Sequence, residues 1–77
     1  MSAVIYATEW CAYCRRAKGL LDSKGIAYEE QLVGEDIELD EVSEKVGRKV
    51  STVPQIFLDG EYIGGYAELA RHLGAPA

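Results

Sequence analysis

Cys11 and Cys14 stand in the stretch EWCAYCRRAK, separated by Ala12 and Tyr13. A C-x-x-C pair can serve as a structural clip, as half of a metal site, or as a dithiol that cycles to a disulfide. A clip is a poor use of this pair, because so short a loop removes little entropy from the unfolded chain. A structural zinc site wants four ligands, and the chain offers two cysteines and the single His72, in a different segment. The dithiol requires a helix that begins at the first cysteine. The sulfur of Cys11 then meets backbone N–H groups without intrahelical partners and the positive end of the helix dipole, both of which favour thiolate over thiol. Cys14, almost one turn later, lies on the same face within disulfide reach, but deeper. Cys11 is therefore the expected nucleophile and Cys14 the resolving thiol. Arg15, Arg16 and Lys18 add positive potential, and Trp10 and Tyr13 are expected on the rim that substrates touch.

The surrounding segments supply the elements this chemistry needs. Residues 3–7 (AVIYA) form a continuous apolar run of β-formers, as in a strand covered on both faces. From Ala12 to Lys24, Cys14, Ala17, Leu20 and Leu21 share one stripe of a helix that Gly25 ends. Residues 26–33 (IAYEEQLV) mix β-formers with charges, which suits a strand near a sheet edge. The unit predicts two parallel strands joined by a right-handed crossover. Asp36 is expected to cap a second helix with Leu39, Val42 and Val46 inward and Gly47 at its end. A strand over residues 53–58 (VPQIFL) meets Glu61-Tyr62-Ile63 through an Asp59-Gly60 hairpin turn. Gly64-Gly65 then opens a last helix with Leu69, Ala70 and Leu73 inward, ended by Gly74 and Pro76. His72, in its final turn, is assigned to the helix C-terminal carbonyls and to no chemistry.

Length and composition narrow the choices. The 77 residues, 48% hydrophobic and 27% charged, allow one small globular domain over residues 1–77 and no second one. No apolar stretch is long enough for export or membrane insertion. A formal charge of −5 argues against non-specific nucleic-acid binding, because a phosphate backbone repels such a surface. The order β-α-β-α-β-β-α, with C-x-x-C at the first strand-to-helix junction, matches an α/β thioredoxin-like fold: a four-stranded mixed sheet flanked by three helices.

The stretch YATEWCAYCRRAKGLLDSKGIAYEE and the later TVPQIFLDGEYIGGY carry a resemblance to the small dithiol glutaredoxins of bacteria and viruses. It runs from Val4 to about Leu73, with the C-x-Y-C, T-V-P and G-G blocks in the family's order. The resemblance implies a glutathione-dependent thiol-disulfide oxidoreductase that reduces protein disulfides and glutathione mixed disulfides. Glutathione acts as the reductant and no metal is expected. Thr52-Val53-Pro54 is similar to the family's T-V-P, in which the proline is cis and the preceding backbone pairs with the cysteine part of glutathione. Gly64 and Gly65 resemble the glycine pair that lets the γ-glutamyl carboxylate approach a helix N-terminus. Tyr66, Ala67 and Glu68 follow, with Glu68 facing the γ-glutamyl ammonium where relatives carry Asp, and Ala67 where they carry Thr or Ser.

The chain departs from the family at two further positions. Thr8, expected with Tyr13 among the glutathione contacts, stands where relatives carry Lys or Arg and offers a hydrogen bond but no charge, so Arg48 or Lys49 is expected to supply the missing cation for the glycyl carboxylate, with weaker glutathione affinity. Ala12 replaces the usual proline and restores one backbone N–H. Some relatives without that proline bridge a glutathione-ligated [2Fe-2S] cluster through the first cysteine, which would make Cys11 a ligand in a cluster carrier. The other alternative is a redoxin recharged by thioredoxin reductase that serves ribonucleotide reductase. The expected partners are glutathione and disulfide-containing or glutathionylated proteins, ribonucleotide reductase being one candidate, for a monomer in the cytoplasm. A potential of roughly −200 to −230 mV would make it reducible by a cytosolic glutathione pool.

Overall fold

The computed structural model describes residues 1–75. Among them are a four-stranded sheet and three helices: β1 (Ser2–Ala7), α1 (Ala12–Ser23), β2 (Ala27–Leu32), α2 (Leu39–Val46), β3 (Gln55–Leu58), β4 (Glu61–Gly64) and α3 (Tyr66–His72). The strand order is β2-β1-β3-β4. β1 pairs in parallel with β2 and antiparallel with β3, and β3 pairs antiparallel with β4.

The unbroken apolar run of β1 is explained by what covers it. Ala3, Ile5 and Ala7 point into one cluster with Cys14, Ala17 and Leu21 of α1 and Leu69 of α3. The alternate residues Val4 and Tyr6 point into a second cluster with Ile37, Val42 and Val50. β3 divides in the same way, Ile56 and Leu58 on the first side and Phe57 on the second. α1 and α3 thus cover one face of the sheet, and α2 the other. Burying each large side chain such as Leu21 stabilises the docked helix by about 1.5–3 kcal/mol, and Leu21 is completely buried. That docking holds the N-terminus of α1 in place against the end of β1.

Two expectations need correction. Asp36 does not cap α2: its Oδ2 accepts from the Leu32 N–H at 2.9 Å and closes the loop after β2. The N-cap is Glu38, whose backbone N–H donates to Glu41 Oε1 at 3.2 Å, so the acid that caps lies inside the first turn. Buried Ile37 lies between Asp36 and the helix and packs against Val42's cluster, which pushes the helix start two residues on. The third strand begins at Gln55, not at Val53, because the Val53–Pro54 peptide is cis and turns the chain before pairing starts. The Asp59-Gly60 turn forms as expected, with positive φ at both residues (50° and 83°), the mirror-image turn that matches strand twist. Pro76 lies outside the described residues.

Candidate active site

α1 starts at the first cysteine. Cys11 is its N-cap, in extended conformation, and the Cys14 backbone N–H donates to Cys11 Sγ at 3.1 Å. A cysteine sulfur thereby takes the place that a serine or aspartate oxygen fills in an ordinary cap. From the opposite side the Val53 carbonyl accepts from the Cys11 thiol at 3.7 Å, across the cis Val53–Pro54 bend. Cys11 is half-buried, while Cys14 is 1% exposed. Both are free thiols, so the pair is in its dithiol state.

The two sulfurs sit in different environments, Cys11 half-buried and Cys14 enclosed. Burial first, and then a hydrogen bond to the Cys11 side chain, push the Cys14 thiol up to about 12. A backbone hydrogen bond at Thr8 and the Lys18 ammonium act the other way. Lys18, one turn beyond Cys14, is tied to Glu30 of β2 at 2.8 Å, and that hydrogen bond raises its own pKa. The inner sulfur is thus a protonated thiol facing the outer one.

Two neighbouring cavities share Thr52, Gly65 and Glu68, and one of them is lined by Val53, the residue whose carbonyl meets Cys11. One, of about 520 Å³, is lined by Arg48, Lys49, Thr52, Gly64, Gly65 and Glu68 among others. The second, of about 300 Å³, is lined by Tyr13, Thr52, Val53, Pro54, Gly65, Tyr66, Ala67 and Glu68. Every residue expected to contact the tripeptide lines one or both, except Thr8. The Thr8 backbone is turned towards the Cys14 thiol and favours its charged form. Arg48 and Lys49, the two candidates for the missing cation, both line the larger cavity. Glu68 is engaged within the protein: its Oε1 accepts from the Gly65 N–H at 2.8 Å and its Oε2 lies 3.5 Å from Arg71. One backbone donor of the glycine pair is therefore already used.

Gln55 and Tyr62 also line the larger cavity and were not anticipated. Gln55 is the buried polar side chain of the core, 5% exposed. Its amide donates to the Thr52 carbonyl and hydroxyl at 2.9 and 3.2 Å, and its carbonyl accepts from the Tyr62 hydroxyl. The network pins the turn that carries Val53 to the β3–β4 hairpin. A glutamine within an otherwise apolar strand was the one sequence signal for it. Trp10 and Tyr13 are on the rim, 89% and 56% exposed, as expected. His72 ends α3. Among the described residues no three or more His, Cys, Asp or Glu side chains group as a metal site, and no helix is long and apolar enough to cross a membrane.

A dithiol at a helix N-terminus, facing a cis-proline turn over a four-stranded mixed sheet, defines a thioredoxin-like protein of thiol-disulfide exchange. Comparison with known proteins narrows the class. The glutaredoxin family model matches residues 3–63. Glutaredoxin 3 of Escherichia coli K12 is 46% identical over 66 residues, covering 84% of this chain and 77% of that protein. The solution structure of reduced E. coli glutaredoxin superposes with a TM-score of 0.81 at 36% identity, covering 96% of this chain and 94% of that one. The crystal structure of a buckwheat glutaredoxin–glutathione complex gives a TM-score of 0.75 at 27% identity, over 94% of this chain and 69% of that one. The chain belongs to the glutaredoxin family and is a thiol-disulfide oxidoreductase.

Proposed function

We propose that the protein uses glutathione to reduce protein disulfides and glutathione mixed disulfides, with Cys11 as nucleophile and Cys14 as resolving thiol. The observation that carries this reading is the position of Cys11 Sγ between the Cys14 N–H and the Val53 carbonyl, with Val53 lining one of two adjoining cavities whose walls include two cations and the glycine pair. The buckwheat complex supports glutathione as the ligand. Val53 offers backbone groups to its cysteine portion, Arg48 and Lys49 face its glycyl carboxylate, and Glu68 faces its γ-glutamyl ammonium. Thr52, Pro54, Tyr66 and Ala67 shape the walls.

The Cys11 thiolate attacks one sulfur of the substrate disulfide; a Cys11–S bond forms, and the other sulfur leaves with the electron pair and takes a proton from water. With glutathionylated substrates Cys11 keeps the glutathione, and a second glutathione thiolate removes it as glutathione disulfide. With protein disulfides Cys14 loses its proton, attacks Cys11 Sγ and closes the Cys11–Cys14 bond while the substrate leaves as a dithiol. Two glutathiones then reopen that bond. The N–H that Cys14 donates to Cys11 Sγ stabilises the sulfur whenever it carries charge as nucleophile or leaving group. We further propose one domain over residues 1–77, acting as a cytoplasmic monomer.

Kinetics of Cys11→Ser and Cys14→Ser test the division of roles. Cys11→Ser is expected to abolish both activities, and Cys14→Ser to spare most turnover of a small glutathione mixed disulfide while eliminating protein-disulfide reduction. Equal losses would refute it. Turnover with NADPH and thioredoxin reductase, but none with glutathione, would refute the choice of reductant.

A further inference from the structure

Cys11 has a second, outer border, to which Tyr13 contributes its solvent-facing side. Of the three exposed large hydrophobic residues described, Trp10 and Tyr13 flank Cys11, and the third, Met1, is at the chain start. The Arg16 guanidinium carbon lies 5.1 Å from the Tyr13 ring centroid. Tyr13 in turn lies 6.0 Å from Tyr66. Stacking on a ring face orients a guanidinium but leaves its N–H donors free in the plane. Arg15 and Arg16 are exposed, and neither takes part in the two ion pairs found among the described residues. Between Ala7 and Lys18 the one carboxylate is Glu9.

We propose that Trp10, Tyr13 and Arg16 form the docking surface for the protein half of the substrate, and that they select cysteine-bearing segments with acidic residues beside the cysteine. This rests on the glutathione reading above. Disulfide exchange is in line: with glutathione against Val53, the leaving protein sulfur projects outward past Cys11, so its chain settles on the outer rim at Trp10, Arg16 and the exposed side of Tyr13. An exposed indole gives such a segment a large apolar contact, and the two free guanidinium groups give its carboxylates partners. The charge of the whole molecule decides the sign. A chain of formal charge −5 repels an acidic segment over most of its surface and attracts it here, which steers the approach and sets its orientation.

The test compares three substrates: a peptide glutathionylated at a cysteine flanked by aspartates, the same peptide with flanking lysines, and the small hydroxyethyl–glutathione disulfide. At low ionic strength the protein is expected to show kcat/KM about fivefold higher for the acidic than for the basic peptide, with the preference lost in high salt. Arg16→Glu should remove or invert that preference, Arg16→Lys should keep most of it, and both should change the small disulfide far less than the acidic peptide. Trp10→Ala should lower both peptides about threefold and spare the small disulfide, a contact effect of the size expected for one rim aromatic. Equal use of the two peptides, or an Arg16→Glu loss of the same size on all three substrates, overturns the docking surface while glutathione dependence stands. Failure of the unaltered protein to turn over the small disulfide overturns the parent reading and this one with it.

Discussion

Cys11 and Cys14 have the same side-chain chemistry and opposite surroundings, and the contrast is measurable. Cys14, with an ordinary value of 9.0, is pushed up to about 12 by burial and then by its hydrogen bond to Cys11. Because its folded value is raised, the native state holds a proton that the unfolded chain releases, so this stabilisation is complete below about pH 9 and falls away towards pH 12. The unfolding free energy of the dithiol form, from urea titrations, should drop between pH 9 and pH 10 by no more than about 1.4 kcal/mol per pH unit, and Cys14→Ala should flatten the slope. Lys18 and Tyr6, also raised, from 10.5 and 10.0, add losses of the same sign at higher pH. Gly64 makes a second residue-scale prediction. With φ of +125°, an added Cβ would lie 2.9 Å from Glu68 Cγ and 3.0 Å from its Oε1, the oxygen that takes the Gly65 N–H. Gly64→Ala should cost about 1–3 kcal/mol in denaturant titration and weaken glutathione binding with it.

At the scale of elements, the site exists because two loops are held rigidly against one helix end. α1 is anchored through Ala17 and Leu21 beneath the sheet, and Lys18–Glu30 ties its outer side to β2. The Val53 turn is held from the other direction, by Gln55 reaching back to Thr52 and by Tyr62 of β4 holding Gln55. Removing the Tyr62 hydroxyl leaves a buried amide oxygen without its donor, which typically costs about 1–3 kcal/mol. Tyr62→Phe should show that loss in thermal or urea unfolding. It should also raise KM for the glutathione mixed disulfide about threefold with kcat little changed, because the affected groups position the tripeptide rather than the sulfur. Unaltered KM would mean that the network serves the core alone.

Over the whole molecule, charge is unevenly placed. Acidic residues crowd α2 and its approach, at Glu35, Asp36, Glu38, Asp40, Glu41 and Glu44, on the sheet face opposite α1. Arg48 and Lys49 stand in the larger cavity and Arg15 and Arg16 at the start of α1, so cations gather at the end that holds Cys11. Glutathione is a net anion approaching an anionic protein, and its capture should depend on Arg48 and Lys49, which line the larger cavity. Replacing Arg48 and Lys49 together by Gln should raise KM for a glutathione mixed disulfide about three- to tenfold, and rising ionic strength should lower kcat/KM for the unaltered protein more than for the double variant.

Patterns that act locally were legible in the sequence alone. The apolar run of β1, the stripe of α1, the Asp59-Gly60 turn, the element order and the cysteine at a helix start follow from period, propensity and spacing, which neighbouring residues suffice to express. Tertiary structure decided what depends on partners distant along the chain. Asp36 turned to the Leu32 N–H and left the cap to Glu38 because buried Ile37 set where α2 could begin. Glu68 was claimed by Gly65 and Arg71, Arg48 and Lys49 came to the cavity, and Gln55 with Tyr62 became the brace of the Val53 turn. A lone polar or charged residue has many possible partners until packing removes all but a few, and only the folded chain makes that choice.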